Sequence, residues 1–177
     1  MTKSAWAVDV AHSAIEFSVR HMMIAKVKGL FHEFEAKIEA DPFDLTTADI
    51  AFSIDLNSVD TRNNDRDAHL RSADFFEIEK YPTMDFQSTS ITKTGDDEYN
   101  VTGNVTLRGV THSETFKVVF EGAGKDPWGN EKVGFSVKGS LKRSNYGLTY
   151  NAVLETGGVL IGDDVAVSLD IEASRAQ

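Results

Sequence analysis

TRNNDRDAHLRSADFFEIEKYP, residues 61–82, interrupts a chain that otherwise alternates apolar and polar side chains almost throughout. Two arginine–carboxylate neighbourhoods, a histidine and an aromatic pair crowd into it. Residues 64–72 read as a helix: Asn64 suits the N-cap, Asp67 falls at N3, and Asp67 and Arg71 form an i,i+4 pair. Two turns are too short to hold alone in water, so the helix must lean on something. Ala68, Leu70, Phe75 and Phe76 give it an apolar underside. A lone short helix in a β chain usually covers an opening or an edge.

The flanking sequence is β throughout. Ile15, Phe17 and Val19 share one face, as do Ile50, Phe52, Ile54 and Leu56. Val101, Gly103, Val105 and Leu107 follow, then Phe116, Val118 and Phe120. Val133, Phe135, Val137, Gly139 and Leu141 make another run, and Val165, Val167, Leu169 and Ile171 the last. One segment changes phase, from Val27, Gly29 and Phe31 to Phe34, Ala36 and Ile38. A bulge near His32–Glu33 explains this economically, two separate short strands being the alternative. GDDE at 95–98, Arg108-Gly109 and DPWGN at 126–130 are reversals, and TGG at 156–158 with IGDD at 161–164 shapes a long loop before the last strand. About eight such strands, each with one apolar face, make an all-β antiparallel sheet that closes into a barrel or folds as a sandwich.

The totals narrow the function. The 177 residues suit a single domain over 1–177, and three prolines leave little room for disorder. A net charge of −10 repels phosphate backbones and anionic membrane surfaces, and no Lys/Arg stripe along the sequence overrides it, so nucleic acid is not an expected partner. Without cysteine there is no thiol catalysis, disulfide or Cys-based zinc site. No apolar run reaches the length of a membrane helix and the N-terminal residues lack a signal-peptide pattern, so neither stable membrane insertion nor export is expected and the expected compartment is the cytoplasm.

Motifs for chemistry are sparse. His12, His21, His32, His69 and His112 have no ligand spacing that announces a metal, and they read as satisfied or surface side chains. The HS pairs at 12–13 and 112–113 point apart on a strand, and neither G-x-S-x-G nor a phosphate-binding glycine loop occurs. Arg66, Asp67, Arg71 and Asp74 could clamp a carboxylate or move protons. The favoured alternative is structural: they pair with each other and cap chain ends, fixing the helix to a rim, with Arg143 in LKRSNYGL a further rim arginine. Neither catalytic residues nor a metal or cofactor are expected.

The interior is more informative. Eleven phenylalanines against two tryptophans and four tyrosines supply bulk without hydrogen-bonding handles. A barrel of about eight strands is either filled by its side chains or holds one small ligand. Inward glycines at 29, 103 and 139 either leave width for a ligand or merely bend strands in a solid core.

The chain resembles the YceI-like family, the polyisoprenoid-binding, lipocalin-like proteins of bacteria. The likeness rests on VDVAHSAIEFSVRHM, VKGLFHEFEAKIEAD and SVDTRNNDRDAHLRSADFFEIEKYPTMDFQS, then on GNVTLRGVT, DPWGNEKVGF, LKRSNYGL and LIGDDVAVSLDIEA. The RDAHLRSADFFEIEKYP block is its most specific part. The resemblance implies a lipocalin-like antiparallel β-barrel of about eight strands with one short helix near 64–72. It also implies an apolar tunnel for a polyisoprenoid, an isoprenoid quinone or a fatty amide, bound without catalysis for sequestration or transport. The implied lining is Ile15, Phe17, Val19, Phe31, Phe34, Ile38, Ile50, Phe52 and Ile54, then Phe75, Phe76, Met84, Phe86, Val105 and Leu107, then Phe116, Val118, Phe120, Val133, Phe135 and Val137. Relatives often pair, which makes a homodimer a further expectation, and many are exported. Two alternatives stand: an enzyme acting on such an amphiphile through His69, Arg66 or His21, and a filled barrel acting through its surface in a stress response.

Overall fold

Strands account for most of residues 3–152 and 160–176, which the computed structural model describes. In chain order they are β1 (Ser4–Val8), β2 (Ala14–His21), β3 (Ala25–Phe31), β4 (Phe34–Asp41), β5 (Asp44–Asp55) and β6 (Val59–Asp60). After helix α1 (Asn64–Arg71) come β7 (Thr83–Gly95), β8 (Glu98–Leu107), β9 (Val110–Lys125), β10 (Glu131–Lys142) and β11 (Ile161–Arg175). Neighbours run β1-β4-β5-β7-β8-β9-β10-β11, and β11 pairs back to β1. These pairings are antiparallel, so eight strands close into a barrel and the sandwich is excluded. Closure removes the unpaired edges that an open sheet would expose.

The long β11 serves two partners. Ala173–Arg175 pairs with β1, while Ile161–Asp170 pairs with β2, from which β3 and β6 extend the wall. The phase change near residue 32 reflects the same division. His32 and Glu33 do not bulge one strand; they separate two, the second of the alternatives. β3 pairs with β2 and β6, whereas β4 pairs with β1 and β5, so the wall changes partners there. Phe31 and Phe34, each 7% exposed, face inward on either side of the break.

Two further expectations need correction. IGDD at 161–164 is not loop but the start of β11, with a register irregularity between Ile161 and Val165; TGG at 156–158 lies outside the described residues. The helix begins one residue earlier in its capping than expected. Asn63 is the N-cap, its side chain accepting from the Arg66 N–H at 2.9 Å, and α1 ends at Arg71. Ala68 is exposed, so the underside is formed by Leu70, Phe75 and Phe76 without it.

Strand direction distinguishes the two ends. The exit of β5, α1, the β8–β9 turn, the end of β10, the start of β11 and the β2–β3 turn share one end. The β4–β5, β7–β8 and β9–β10 turns share the other with Ser4 and Arg175.

Candidate functional site: an apolar lumen

Between the two ends the barrel is hollow. About 1190 Å³ of atom-free space lies in and around the lumen, counting the interstices between lining side chains and the open solvent at its mouth. Its wall is apolar apart from two carboxylate residues, Glu16 and Asp85. The lining offers a ligand few polar partners.

Three glycines keep the space open. A Cβ at Gly29 would sit 2.3 Å from Cζ of Phe17, one at Gly103 2.5 Å from Cε1 of Phe86, and one at Gly139 2.4 Å from Cδ1 of Phe116. Each separation is far inside van der Waals contact, so in each case a phenyl ring lies against the bare backbone of a neighbouring strand; at Gly103 the Gln87 carbonyl oxygen, 2.4 Å away, excludes a Cβ as well. Ring area is thereby stored against the wall instead of across the lumen. The inward glycines therefore do supply width, through the rings they let recline.

The α1 end is closed by buried side chains. Phe34, Leu56, Val59, Phe75, Phe76, Leu107, Tyr146 and Leu148 are all buried in one cluster there. Toward the other end the lining includes Trp6, Ala40, Pro42, Leu45, Val133 and Ala173. Of the residues expected to line a tunnel, Ile15, Phe17, Phe31, Ile38, Ile50, Phe52, Ile54, Met84, Phe86, Val105, Phe116, Val118, Val133, Phe135 and Val137 do so. Phe34, Phe75, Phe76 and Leu107 do not, because they are consumed by the packed end. Phe120 packs between Phe43 and Phe135, with ring centroids 5.6 and 5.4 Å away. Val19, near the β2–β3 turn, is half-buried and outside the lining. Trp6 was missed because β1 is too short for alternation to register, and Ala40, Pro42 and Leu45 because they flank the β4–β5 turn, where the long apolar runs end.

The charged cluster of residues 61–74 is occupied with the backbone. Asp67, 5% exposed, accepts from the N–H and hydroxyl of Thr61. Arg66 donates to the same residue, Nε to Oγ1 at 2.8 Å and a terminal nitrogen to the carbonyl at 2.7 Å. Arg71 reaches the carbonyls of Asn57 and Val59, so it holds the β5–β6 connection and is not the i,i+4 partner of Asp67. Asp74 bonds His69 at 2.8 Å, whose ring meets Phe75 and Tyr150 edge-on. Arg143, 8% exposed, donates to four carbonyls, those of Leu148, Tyr150, Ile161 and Gly162. The charges thus cap chain ends, but mostly by binding backbone instead of pairing with one another.

None of the five histidines lines the lumen. His12, His32 and His69 each bond an aspartate, and His112 bonds the Asn145 carbonyl. Asp9, His12 and Glu172 form the one grouping of three potential ligand side chains among the described residues. There the Asp9 carboxylate, 2.7 Å from Nδ1, raises the His12 pKa, and His12 in turn lowers that of Asp9. Asp9 also caps the short 3-10 turn Val10–His12, which accounts for the arrangement without an ion. Among the described residues no helix is long and apolar enough to cross a membrane.

The fold and site therefore define a closed antiparallel barrel around an apolar lumen. Residues 6–173 match the model of the YceI-like domain, and the chain belongs to that family. A UPF0312 protein of Staphylococcus aureus strain N315 is 40% identical over 170 residues, 96% of each chain. The crystal structure of BcnA from Burkholderia cenocepacia superposes with a TM-score of 0.82 at 24% identity, covering 93% of this chain and 98% of that one. A polyisoprenoid binding domain from Saccharophagus degradans superposes with a TM-score of 0.73 at 15% identity, over 98% and 99% of the two chains.

Proposed function

We propose that the protein binds one long apolar amphiphile in its lumen and holds or carries it without changing it chemically. The observation that carries this reading is the wall: a lumen lined by apolar side chains, with only Glu16 and Asp85 as charged lining residues. Such a wall favours methylene and isoprene units, since burying each CH₂ contributes about 0.8 kcal/mol. A chain of roughly twenty such units gains about 16 kcal/mol gross, from which association costs of roughly 4–15 kcal/mol subtract. Binding is therefore attainable without a charged anchor, and selectivity falls on length and girth. A polyisoprenoid, an isoprenoid quinone and a fatty amide all meet that description. The polyisoprenoid-binding description of the Saccharophagus domain supports the same class. The histidines and Arg66, the residues that chemistry on the cargo was expected to use, are absent from the lining.

The direct test is mass spectrometry of an organic extract of protein purified from its native host, with titration of the stripped protein by polyprenyl and quinone ligands. A stoichiometric lipid in the extract is expected. Val137→Trp, which fills the lumen, is expected to lower bound lipid severalfold while the protein remains folded by circular dichroism. Empty extracts together with no uptake on titration would sink the proposal.

A further inference from the structure

The β2–β3 turn contributes nothing to the lumen, yet it carries the longest run of exposed apolar side chains among the described residues. Met22 is 41% exposed, Met23 51% and Ile24 81%. The turn is closed by the Ile24 N–H donating to the His21 carbonyl at 3.2 Å, and Met22 and Met23 take φ values of 54° and 61°. Positive φ at both central residues is the pattern of a type I′ turn, for which Asn-Gly is the favoured pair. Two long apolar residues in that conformation are strained and solvated at once. Neither turn formation nor core packing accounts for them, and strain kept in place of an easy remedy points to function.

Cations flank the tip. Arg20 and Lys26 are direct partners across β2 and β3, and Lys28 stands opposite Ser18 on the same outward face. All three are exposed, and none has a carboxylate within 4.0 Å among the described residues. Like charges placed opposite each other destabilise a ladder. Lysines on β3 would be explained by protection of a sheet edge. Arg20 is not, because β2 is paired on both sides, with β11 and β3.

We propose that this hairpin docks the protein on an anionic lipid surface. Arg20, Lys26 and Lys28 meet headgroup phosphates, and Met22, Met23 and Ile24 enter the interfacial layer. The net charge of −10 opposes approach as a whole, but salt screens charges beyond roughly 8 Å at physiological ionic strength. Within that range the three cations act locally; the carboxylates on the adjoining strand beside Arg20 are taken up, Asp163 by Ser144 and Asp164 by Lys142. The two ingredients, apolar side chains and an adjacent cluster of cations, are those that hold peripheral elements at a bilayer interface. The attachment is reversible adsorption, with no strand or helix crossing the bilayer. It does not depend on the lumen holding a lipid, because vesicle binding and cargo retention are separate measurements.

Flotation of the full chain tests the proposal, using vesicles of phosphatidylcholine alone and of phosphatidylcholine mixed with phosphatidylglycerol. Binding to the mixed vesicles only, released by high salt, is expected. Arg20→Ala, Lys26→Ala and Lys28→Ala combined should weaken it about 100-fold, taking the usual contribution of each basic residue near an anionic surface. Met22→Asn with Met23→Gly suits the turn better than the native pair, so it should melt no lower than wild type and still bind roughly tenfold more weakly. The proposal is overturned if wild type ignores the mixed vesicles or if both variants bind as wild type does. It is equally overturned if the protein sizes as a dimer that Ile24→Ser dissociates, since a second copy would then cover the tip.

Discussion

Gly139 and Phe116 show how one hydrogen in place of a methyl group shapes the lumen. A Cβ at Gly139 would meet the ring at 2.4 Å, so Gly139→Ala must tip Phe116 into the cavity. The expected cost is about 1–3 kcal/mol in urea denaturation, as for other overpacked cores. Adding Phe116→Leu should recover much of it; strictly additive losses would mean that the two do not share the space. Tyr146 carries a prediction about pH. It is 1% exposed and its hydroxyl donates to Glu114 at 2.7 Å. Burial raises its pKa above the ordinary tyrosine value of 10.0, and Glu114 adds to the shift. The folded protein therefore keeps a proton that the unfolded chain releases above about pH 10. Stability from this group is intact below that pH and falls above it, with a slope of at most about 1.4 kcal/mol per pH unit. Melting temperatures between neutral and strongly alkaline pH should fall less steeply for Tyr146→Phe than for wild type. The inward position of Gly139 was readable from alternation, but its partner ring was not, because Phe116 lies on a neighbouring strand.

Among the elements, α1 is capped one residue before the expected position. The N-cap is Asn63 and not Asn64, since the side chain of Asn63 accepts from the Arg66 N–H. Asn63→Ala should cost about 1 kcal/mol, the usual price of a lost cap, whereas Asn64→Ala should stay within roughly 0.5 kcal/mol as a surface change; equal effects in thermal melts would refute this assignment. The choice follows from Asp67, the one buried residue of the helix, which turns inward to Thr61 and sets the rotation of the whole element. A polar residue facing the barrel is invisible to a search for an apolar underside. The missed strands have equally local reasons. β1 is five residues long, with only Trp6 and Val8 as large apolar side chains on its inward face. β7 shifts register between Ser88 and Ser90, which breaks its alternation midway. The break at His32–Glu33 was visible as a change of phase, but whether it bulged one strand or divided two depended on partners from β1, β5 and β6.

At the scale of the molecule the barrel is closed by residues from opposite ends of the chain. Trp6, 5% exposed, faces Arg175 on β11 and Ile38 on β4, and its indole N–H donates to the Ala40 carbonyl at 3.1 Å. Trp6→Ala should destabilise by about 3–5 kcal/mol, as for other buried aromatic truncations, measured by urea unfolding; a loss under about 1 kcal/mol would show that the seam does not depend on it. By itself the sequence determined the strand content, the inward apolar set of most long strands, the helix and the family, because periodicity and short motifs are local properties. Tertiary structure alone decided that one end of the barrel is packed and the rest hollow. It likewise decided that the dense charges of residues 61–74 hold backbone carbonyls and amides. Both outcomes depend on which side chains meet across strands far apart in the chain, and local pattern does not encode that meeting.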